Sequence, residues 1–327
     1  MKTKHVYRAF DLNQQVENLY NKGITRGVYI GFDSLHEYFS VKKGVTTYLY
    51  GSPFSGKSEF WLEVLLNLSE FYGYRHVIYT PETGKASEIV AELVSKYSRK
   101  PFFKDKGDAL TEAELYSALS FIHEYFYIVD PGEEGLTLEA FYQKVEDIEK
   151  ENDIRIDTTL IDPYNELEND ISSEGGRQDL LIERQLGIVR KNAQAFNRHN
   201  VLITHCRDQQ AIKKNVDGRD IWYYPPATAR EVAGGQAWYR KAMNLINVWR
   251  PPVGYKDNDT DIPAEENEVH VIVQKFKPKG TGKRGVVKLY FDTIKNRYYE
   301  KTTFGSIRYA AKDPEPGRNA YATSFEF

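Results

Sequence analysis

Eight residues, GSPFSGKS (51–58), have the types and spacing to hold a polyphosphate. They fit the phosphate-loop pattern G-x-x-x-x-G-K-[ST], which chance produces in about one in a hundred chains of this length. Glycine lets backbone N–H groups converge as a nest without a Cβ in the way. A helix starting at the loop aims its positive end at the same point. Lys57 supplies a cation for the β- and γ-phosphates of a nucleoside triphosphate, and the Ser58 hydroxyl is a hard oxygen ligand suited to Mg²⁺. Gly51, Ser52, Pro53, Phe54, Ser55, Gly56, Lys57 and Ser58 are therefore the expected triphosphate cradle, with Pro53 and Phe54 stiffening its tip.

Three further residues could complete a phosphoryl-transfer site. Asp162 ends the apolar run TTLID (158–162), where an α/β sheet gathers ligands, and is the expected second magnesium ligand. Hydrolysis also needs a group that orients or deprotonates water. Pro163 occupies the position after Asp162, so the base must come from elsewhere. Glu82 in IYTPETG lies just past the strand that follows the phosphate-loop helix and is the expected base, with Glu166 as the alternative. His205 ends VLITH (201–205), where a neutral imidazole could hydrogen-bond the γ-phosphate and report its loss. His199 reads as a helix C-cap.

These residues need strands and helices to hold them. TTYLY (46–50) reads as a buried strand and 58–71 as a helix with an apolar face. Strands are expected at 76–80, 158–162, 201–205, 245–249, 269–276 and 286–291. Helices are expected at 85–97, 111–126, 137–151 and 177–197, with YIVD as a strand after the second. The alternation predicts an α/β fold, a mostly parallel sheet covered on both faces, with the last strands antiparallel at the edge. Residues 29–305 form this domain. Residues 1–28 precede it as a linker helix whose Leu12, Val16, Leu19 and Tyr20 share one face, which packs on its own domain or on a neighbouring subunit. The acidic stretch 254–268 reads as a solvated insertion, and 306–327 as a C-terminal tail.

Composition narrows the classes. The chain has 327 residues, 41% hydrophobic and 28% charged, as expected for a globular α/β protein. No apolar run is long enough for a membrane span, and the polar start is not a signal peptide. One cysteine, Cys206, excludes an internal disulfide and suits a reducing cytoplasm. A net charge of −3 excludes a uniformly basic coat for nucleic acid but leaves room for local basic segments.

Together the motifs resemble the DnaB-type and Twinkle-type replicative helicases, which are RecA-like ring ATPases, over about residues 31–299. GFDSLHEYF with GSPFSGKSEF resembles the family's entry and phosphate loop; IYTPET at Glu82, LIDPYNEL at Asp162 and LITH at His205 resemble its base, magnesium and sensor motifs. AGGQAWYRKAMNLINVWR resembles the glycine stretch after the DNA-facing loop. QKFKPKGTGKRG resembles the basic hairpin that enters the neighbouring subunit's ATP site. The resemblance implies a RecA-like P-loop NTPase fold with a C-terminal edge hairpin, ATP and Mg²⁺ as cofactors, and a hexameric ring moving 5′–3′ on single-stranded DNA in replication. It implies a bacterial or host cytoplasm, and a primase, polymerase or single-strand-binding protein as candidate partners. It makes Lys275 and Lys277 phosphate ligands in trans. The family's hairpin carries Lys-x-Arg, whereas this chain has Lys-Phe-Lys; either Lys277 serves, a point charge without a bidentate fork, or Arg284 takes over. An acid common in the glycine stretch is replaced near Met243, and no primase or zinc-binding region precedes the core.

The segment 206–233 is long and irregular, with Arg207, Lys213, Lys214 and Arg219 facing Asp208, Asp217 and Asp220 in number. In the resembled family, loops here line a pore, which makes Lys213, Lys214 and the amides of Gly234 and Gly235 the DNA candidates. Trp222, Tyr223 and Tyr224 read as packing residues, with base stacking as the alternative. Two other functions stay open: a RecA/Rad51-like filament ATPase in recombination, and a non-motor ATP-dependent DNA-binding or loading protein.

Overall fold

The computed structural model describes residues 6–312 except 106, 133, 170–174, 208, 217, 233, 257–261 and 303–304. In chain order the main elements are α1 (Asn13–Lys22), α2 (Asp33–His36), β1 (Thr46–Gly51), α3 (Lys57–Tyr72), β2 (His76–Tyr79), α4 (Ala86–Ser98), α5 (Glu112–Tyr125) and β3 (Phe126–Ile128). There follow α6 (Leu138–Asn152), β4 (Thr158–Ile161), α7 (Gln178–Phe196), β5 (His199–His205), β6 (Ile212–Val216), β7 (Arg219–Tyr223), α8 (Gln236–Lys241), β8 (Asn244–Trp249), β9 (Glu268–Lys275), β10 (Gly285–Asp292), β11 (Arg297–Lys301) and β12 (Ile307–Tyr309).

The described strands form a ten-stranded sheet in the order β12-β11-β10-β9-β8-β1-β5-β4-β2-β3, plus the separate pair β6-β7. From β3 to β8 the neighbours run parallel. From β8 to β12 they alternate antiparallel, as the sequence led us to expect. Because side chains alternate across a strand, β1 sends Leu49 into one core with Phe60, Trp61 and Leu65 of α3 and Leu93 of α4. It sends Tyr48 and Tyr50 into the other, with Phe141 of α6, Leu186 of α7 and Trp238 of α8. The carboxyl ends of the parallel strands are thereby held between two packed layers.

A buried ion pair ties the antiparallel edge to the phosphate-loop helix. Arg297 Nε donates to Glu63 Oε1 at 2.7 Å and its Nη2 to Asn67 Oδ1 at 2.7 Å, while Glu63 Oε2 accepts the Tyr298 N–H at 3.0 Å. Both charged groups are almost wholly buried, so each needs the partners it has: breaking such a pair costs about 3–5 kcal/mol.

Several expectations are corrected. The segment 206–233 is not irregular throughout: Ile212–Val216 and Arg219–Tyr223 pair antiparallel as the β6-β7 hairpin, whose turn is closed by Gly218 N–H to Asn215 Oδ1 at 3.1 Å. Asp208 and Asp217 lie outside the described residues. His199 is not a C-cap. Asn197, at φ +49°, ends α7, and His199 begins β5 with Nε2 at 2.9 Å from Thr47 Oγ1 and Nδ1 at 2.8 Å from Lys42 O. The sheet continues past residue 305, because β12 pairs with β11; residues 313–327 lie outside the described part. Within 254–268, Glu268 is buried in β9 against His270 and Lys288 rather than solvated; Asp257, Asp259 and Asp261 lie outside the described residues. Helix α1 buries none of its residues, and Val16, Leu19 and Tyr20 are exposed, so its apolar face finds no cover among the described residues.

Candidate functional site

The phosphate loop joins β1 to α3, and two geometric demands explain its sequence. Gly56 sits at φ +89°, and a Cβ there would stand 2.7 Å from the Tyr298 hydroxyl, so only glycine fits. Phe54, at φ +59° and 96% exposed, holds the tip in a left-handed conformation that an aromatic residue adopts only when its surroundings impose it. Lys57 folds back over the loop, its ammonium donating to Gly51 O at 3.2 Å and Ser52 O at 2.9 Å.

A cavity of about 680 Å³ opens beyond this loop. Pro53, Phe54, Ser55, Gly56, Lys57, Ser58, Glu82, Asp162 and His205 all line it. The topology brings them there: the loop follows β1, Glu82 follows β2, Asp162 follows β4 and His205 ends β5, and these strands lie side by side in the order β2-β4-β5-β1. Gly51 and Ser52 stand behind the loop, Ser52 Oγ bonding Gln209 Oε1. Glu166 lies on a neighbouring cavity with Asp130 and Glu168, away from Lys57.

The electrostatics are those of a site built for a charged ligand. Burial pushes the Lys57 ammonium below the usual lysine range, and the negative charge of Asp162 only partly offsets this. Burial pushes the Asp162 carboxyl up, against the Ser58 hydroxyl that bonds it and the Lys57 charge. Asp162 Oδ2, Ser55 Oγ and His205 Nδ1 are buried without a hydrogen-bond partner. Buried polar atoms left unpaired cost about 1–3 kcal/mol each. A carboxylate oxygen of this kind next to the Ser58 hydroxyl fits a hard cation, and the orphan Ser55 hydroxyl fits a phosphate. Glu82 Oε2 lies 3.0 Å from His205 Nε2, so the imidazole holds the half-exposed carboxylate at the cavity wall.

Arg250, Val269, Phe291 and Tyr298 also line the cavity, and the sequence reading missed them. Arg250 follows β8, and Val269, Phe291 and Tyr298 lie in β9, β10 and β11, far along the chain; the signal available was only that the late strands extend the sheet as an antiparallel edge. The trans candidates lie elsewhere. Lys277, Lys279, Lys283 and Arg284 are exposed; Lys283 is paired with Glu37. Lys275 is turned onto the backbone of α8, its ammonium donating to the carbonyls of Tyr239 and Arg240.

The nucleic-acid candidates are not gathered at one place. Lys213 pairs with Asp220 at 2.7 Å. Lys214 donates to Lys256 O at 2.5 Å and stands 4.5 Å from the Tyr255 ring centre. Gly234 and Gly235 lead into α8, at φ +75° and +26°; a Cβ on Gly234 would strike Ile182. Beside them a cavity of about 580 Å³ is lined by Arg230, Gln236, Tyr239 and Arg240, none of which the sequence reading singled out. Of the three aromatics expected to pack, half-buried Tyr223 does, on Trp249 and Tyr255, whereas Trp222 and Tyr224 are exposed.

No family model matches the chain. The Twinkle homolog protein, chloroplastic/mitochondrial, of Arabidopsis thaliana is 23% identical over 296 residues, which cover 88% of this chain and 39% of that protein. The chain thus spans about two fifths of the length of the curated relative it matches. Among solved structures, one described as an ATPase domain aligns with a TM-score of 0.65 at 18% identity, over 88% of this chain and 97% of that one. A DnaB-like replicative helicase, described with its interactions with primase, aligns with a TM-score of 0.68 at 19% identity, over 89% and 68%. The phosphate loop, the two carboxylates and the antiparallel edge thus sit on a RecA-like core, and the chain has the ATPase-domain fold of the DnaB-like replicative helicases.

Proposed function

We propose that this chain is an ATP-driven DNA helicase motor of the DnaB and Twinkle type, which works as a ring and moves 5′–3′ on single-stranded DNA. One observation carries the reading. Lys57, Ser58, Asp162 and the Glu82–His205 pair meet in one cavity at the ends of adjacent parallel strands, while Lys277, Lys279 and Arg284 stand exposed outside it and unpaired among the described residues. A phosphate site with a base in cis, and an exposed cationic hairpin outside it, fits a site that a second copy completes.

In this reading Lys57 and the loop amides hold the phosphates of ATP, and Ser58 with Asp162 hold Mg²⁺. The metal, when bound, would neutralise phosphate charge that develops during transfer. Glu82 accepts the proton of the attacking water. His205, which holds Glu82 by one ring nitrogen, can turn that bond toward the γ-phosphate and so report its presence. Lys277 or Arg284 of a neighbouring copy supplies the outer cation. Arg230, Gln236 and Arg240, with Gly234 and Gly235, carry the single-strand backbone; Lys213 and Lys214 are already engaged and contribute less. The uncovered face of α1, with Val16, Leu19 and Tyr20, docks on the adjacent subunit. A primase, polymerase or single-strand-binding protein remains the expected partner class, in the cytoplasm of a bacterium or of a phage host. No helix among the described residues is long and apolar enough to cross a membrane.

The test is ATP turnover with and without single-stranded DNA, run on particles whose mass is measured in the same buffer. The reading expects a ring-sized particle whose turnover rises with DNA. A monomer whose turnover ignores DNA would overturn it.

A further inference from the structure

The hairpin that carries the exposed cations does not stand free of the rest of the chain. Its turn is closed on itself: Thr281 donates to Pro278 O from its N–H at 3.3 Å and from its Oγ1 at 2.7 Å. Beyond the turn, the chain lies against the entry segment that precedes β1. The Lys283 N–H donates to Tyr38 O at 3.2 Å, and the Lys283 ammonium pairs with Glu37 and lies 4.6 Å from the Tyr38 ring centre. The approach is close enough to require two glycines. A Cβ on Gly282 would stand 2.3 Å from Tyr38 O, and one on Gly285 would stand 2.0 Å from Tyr38 Cε1.

One side chain ties the two segments together. Half-buried Arg26 donates from Nη2 to His36 O and Glu37 O, both at 2.7 Å, and from Nε to Thr281 O at 3.4 Å. The first two carbonyls end α2, where helix carbonyls lack partners within the helix and favour a cation. The third belongs to the hairpin turn. The backbone under Arg26 is itself fixed. Val28 and Val41 exchange N–H to O bonds at 2.7 and 3.2 Å, and the Gly27 N–H donates to Ser40 Oγ at 3.0 Å. The rigid fork of a guanidinium can hold three carbonyls at once, which the single ammonium of a lysine does not reproduce. The Lys283–Glu37 pair is half-exposed on both sides and contributes little by comparison.

We propose that Arg26 is a positioning residue: it seats the hairpin turn on the entry segment, so that the outer cation, Lys277 or Arg284, is presented to a second copy's phosphates at a fixed place. This rests on the motor reading and names the residue that sets the reach of the cation supplied in trans. Both candidates adjoin held positions. Lys277 precedes Pro278, whose carbonyl closes the turn, and Arg284 follows Lys283, whose N–H the entry segment holds. A long cationic side chain is flexible, so its place at a phosphate depends on where its backbone is held. Misplacement of a reacting group by about 1 Å costs about 10²-fold in rate.

The assembled full chain tests it with ATP alone. Arg26→Ala is expected to lower kcat by about 10–10²-fold, with KM and binding of a non-hydrolysable ATP analogue within about twofold. Gly282→Ala, which pushes the turn off Tyr38 and leaves Arg26 in place, shows the same split. Complementation is the readout that a purely structural role would not move. Lys57→Ala is defective in its own phosphate site but carries a seated hairpin. Co-assembled with Arg26→Ala, it is expected to raise turnover per Arg26→Ala chain above that of Arg26→Ala alone. No rise, or a raised KM with kcat unchanged, places the effect of Arg26 in its own chain's site and overturns the trans role. Hydrogen exchange separates the seat from the motor reading. The seat predicts faster exchange at the Thr281 and Lys283 amides of Arg26→Ala in any state of assembly, and unchanged exchange there refutes it. A wild type that turns over ATP no faster assembled than as single copies sinks the motor reading and the trans role with it, while the exchange still decides the seat.

Discussion

Asp162→Asn removes a charge that the fold has to bury. Asp162 is 4% exposed, its Oδ2 has no partner, and burial holds its carboxyl above the ordinary range. A raised value means that the folded state binds the proton more tightly than the unfolded chain, so stability is lost as pH rises through the folded value. Above it, the ionised carboxylate costs stability, and the isosteric amide does not. An unsatisfied buried group costs about 1–3 kcal/mol. Lys57 loses its counter-charge in the variant, which offsets part of the gain, so about 1 kcal/mol is expected. With an unfolding entropy of about 0.7 kcal/mol/K for a chain of this size, that raises Tm by about 1.5 °C at about pH 7.5. Magnesium nucleotide should act oppositely. At about 100 times Kd it stabilises the wild type by about 2.7 kcal/mol, or about 4 °C, and the part of this gain that EDTA removes should vanish in Asp162→Asn. Thermal melts of both proteins, with and without a non-hydrolysable ATP analogue, magnesium and EDTA, supply all the values. A variant that melts more than about 2 °C lower, or keeps the magnesium-dependent gain, refutes the assignment of Asp162 as a metal ligand held at a cost.

Glu82→Gln should retain ATP binding and lower single-turnover hydrolysis by about 10²–10⁴-fold, as expected for a lost general base; a loss under tenfold would move the base elsewhere. His76 and His199 are buried and held neutral, pushed down to about 3 and about 4 by desolvation. The unfolded chain binds protons at about pH 6.5, so stability falls as pH drops below that value, by about 2 kcal/mol per histidine at about pH 5. Urea unfolding at about pH 7.5 and about pH 5 checks this, and His199→Gln should halve the difference. Burial pushes the Cys206 thiol up to about 12, which leaves about 10³-fold less thiolate at about pH 8 than an ordinary cysteine. Maleimide labelling of this single cysteine should be correspondingly slow, and labelling at the rate of the unfolded chain would contradict the packing around Lys57.

The phosphate loop, Asp162, Glu82 and His205 were legible in the sequence because each is fixed by a strand end. Once the β-α alternation is read, a parallel sheet leaves those ends nowhere to go but one edge. Arg250, Phe291 and Tyr298 were not legible. They reach the cavity only because the antiparallel edge folds back on α3, and the Arg297–Glu63 pair that fixes it joins residues 234 positions apart. The direction of Lys275 was not legible either: a bulge at Gln274 changes which way a strand residue points without changing the pattern of apolar residues. The β6-β7 hairpin was hidden by its charges, since Lys213, Lys214 and Arg219 read as loop residues. The uncovered face of α1 was legible as a face, and its partner was not, because nothing among the described residues of one copy covers it.

In the proposed function, turnover at this site drives movement along a single strand. Strand displacement from a fork with a 5′ single-stranded tail tests it most directly, with Lys57→Ala as the control. ATP-dependent release of the partner strand is expected from the wild type, none from the variant, and none from a fork with only a 3′ tail. Robust ATP turnover stimulated by single-stranded DNA, with no strand released from any fork, would contradict it.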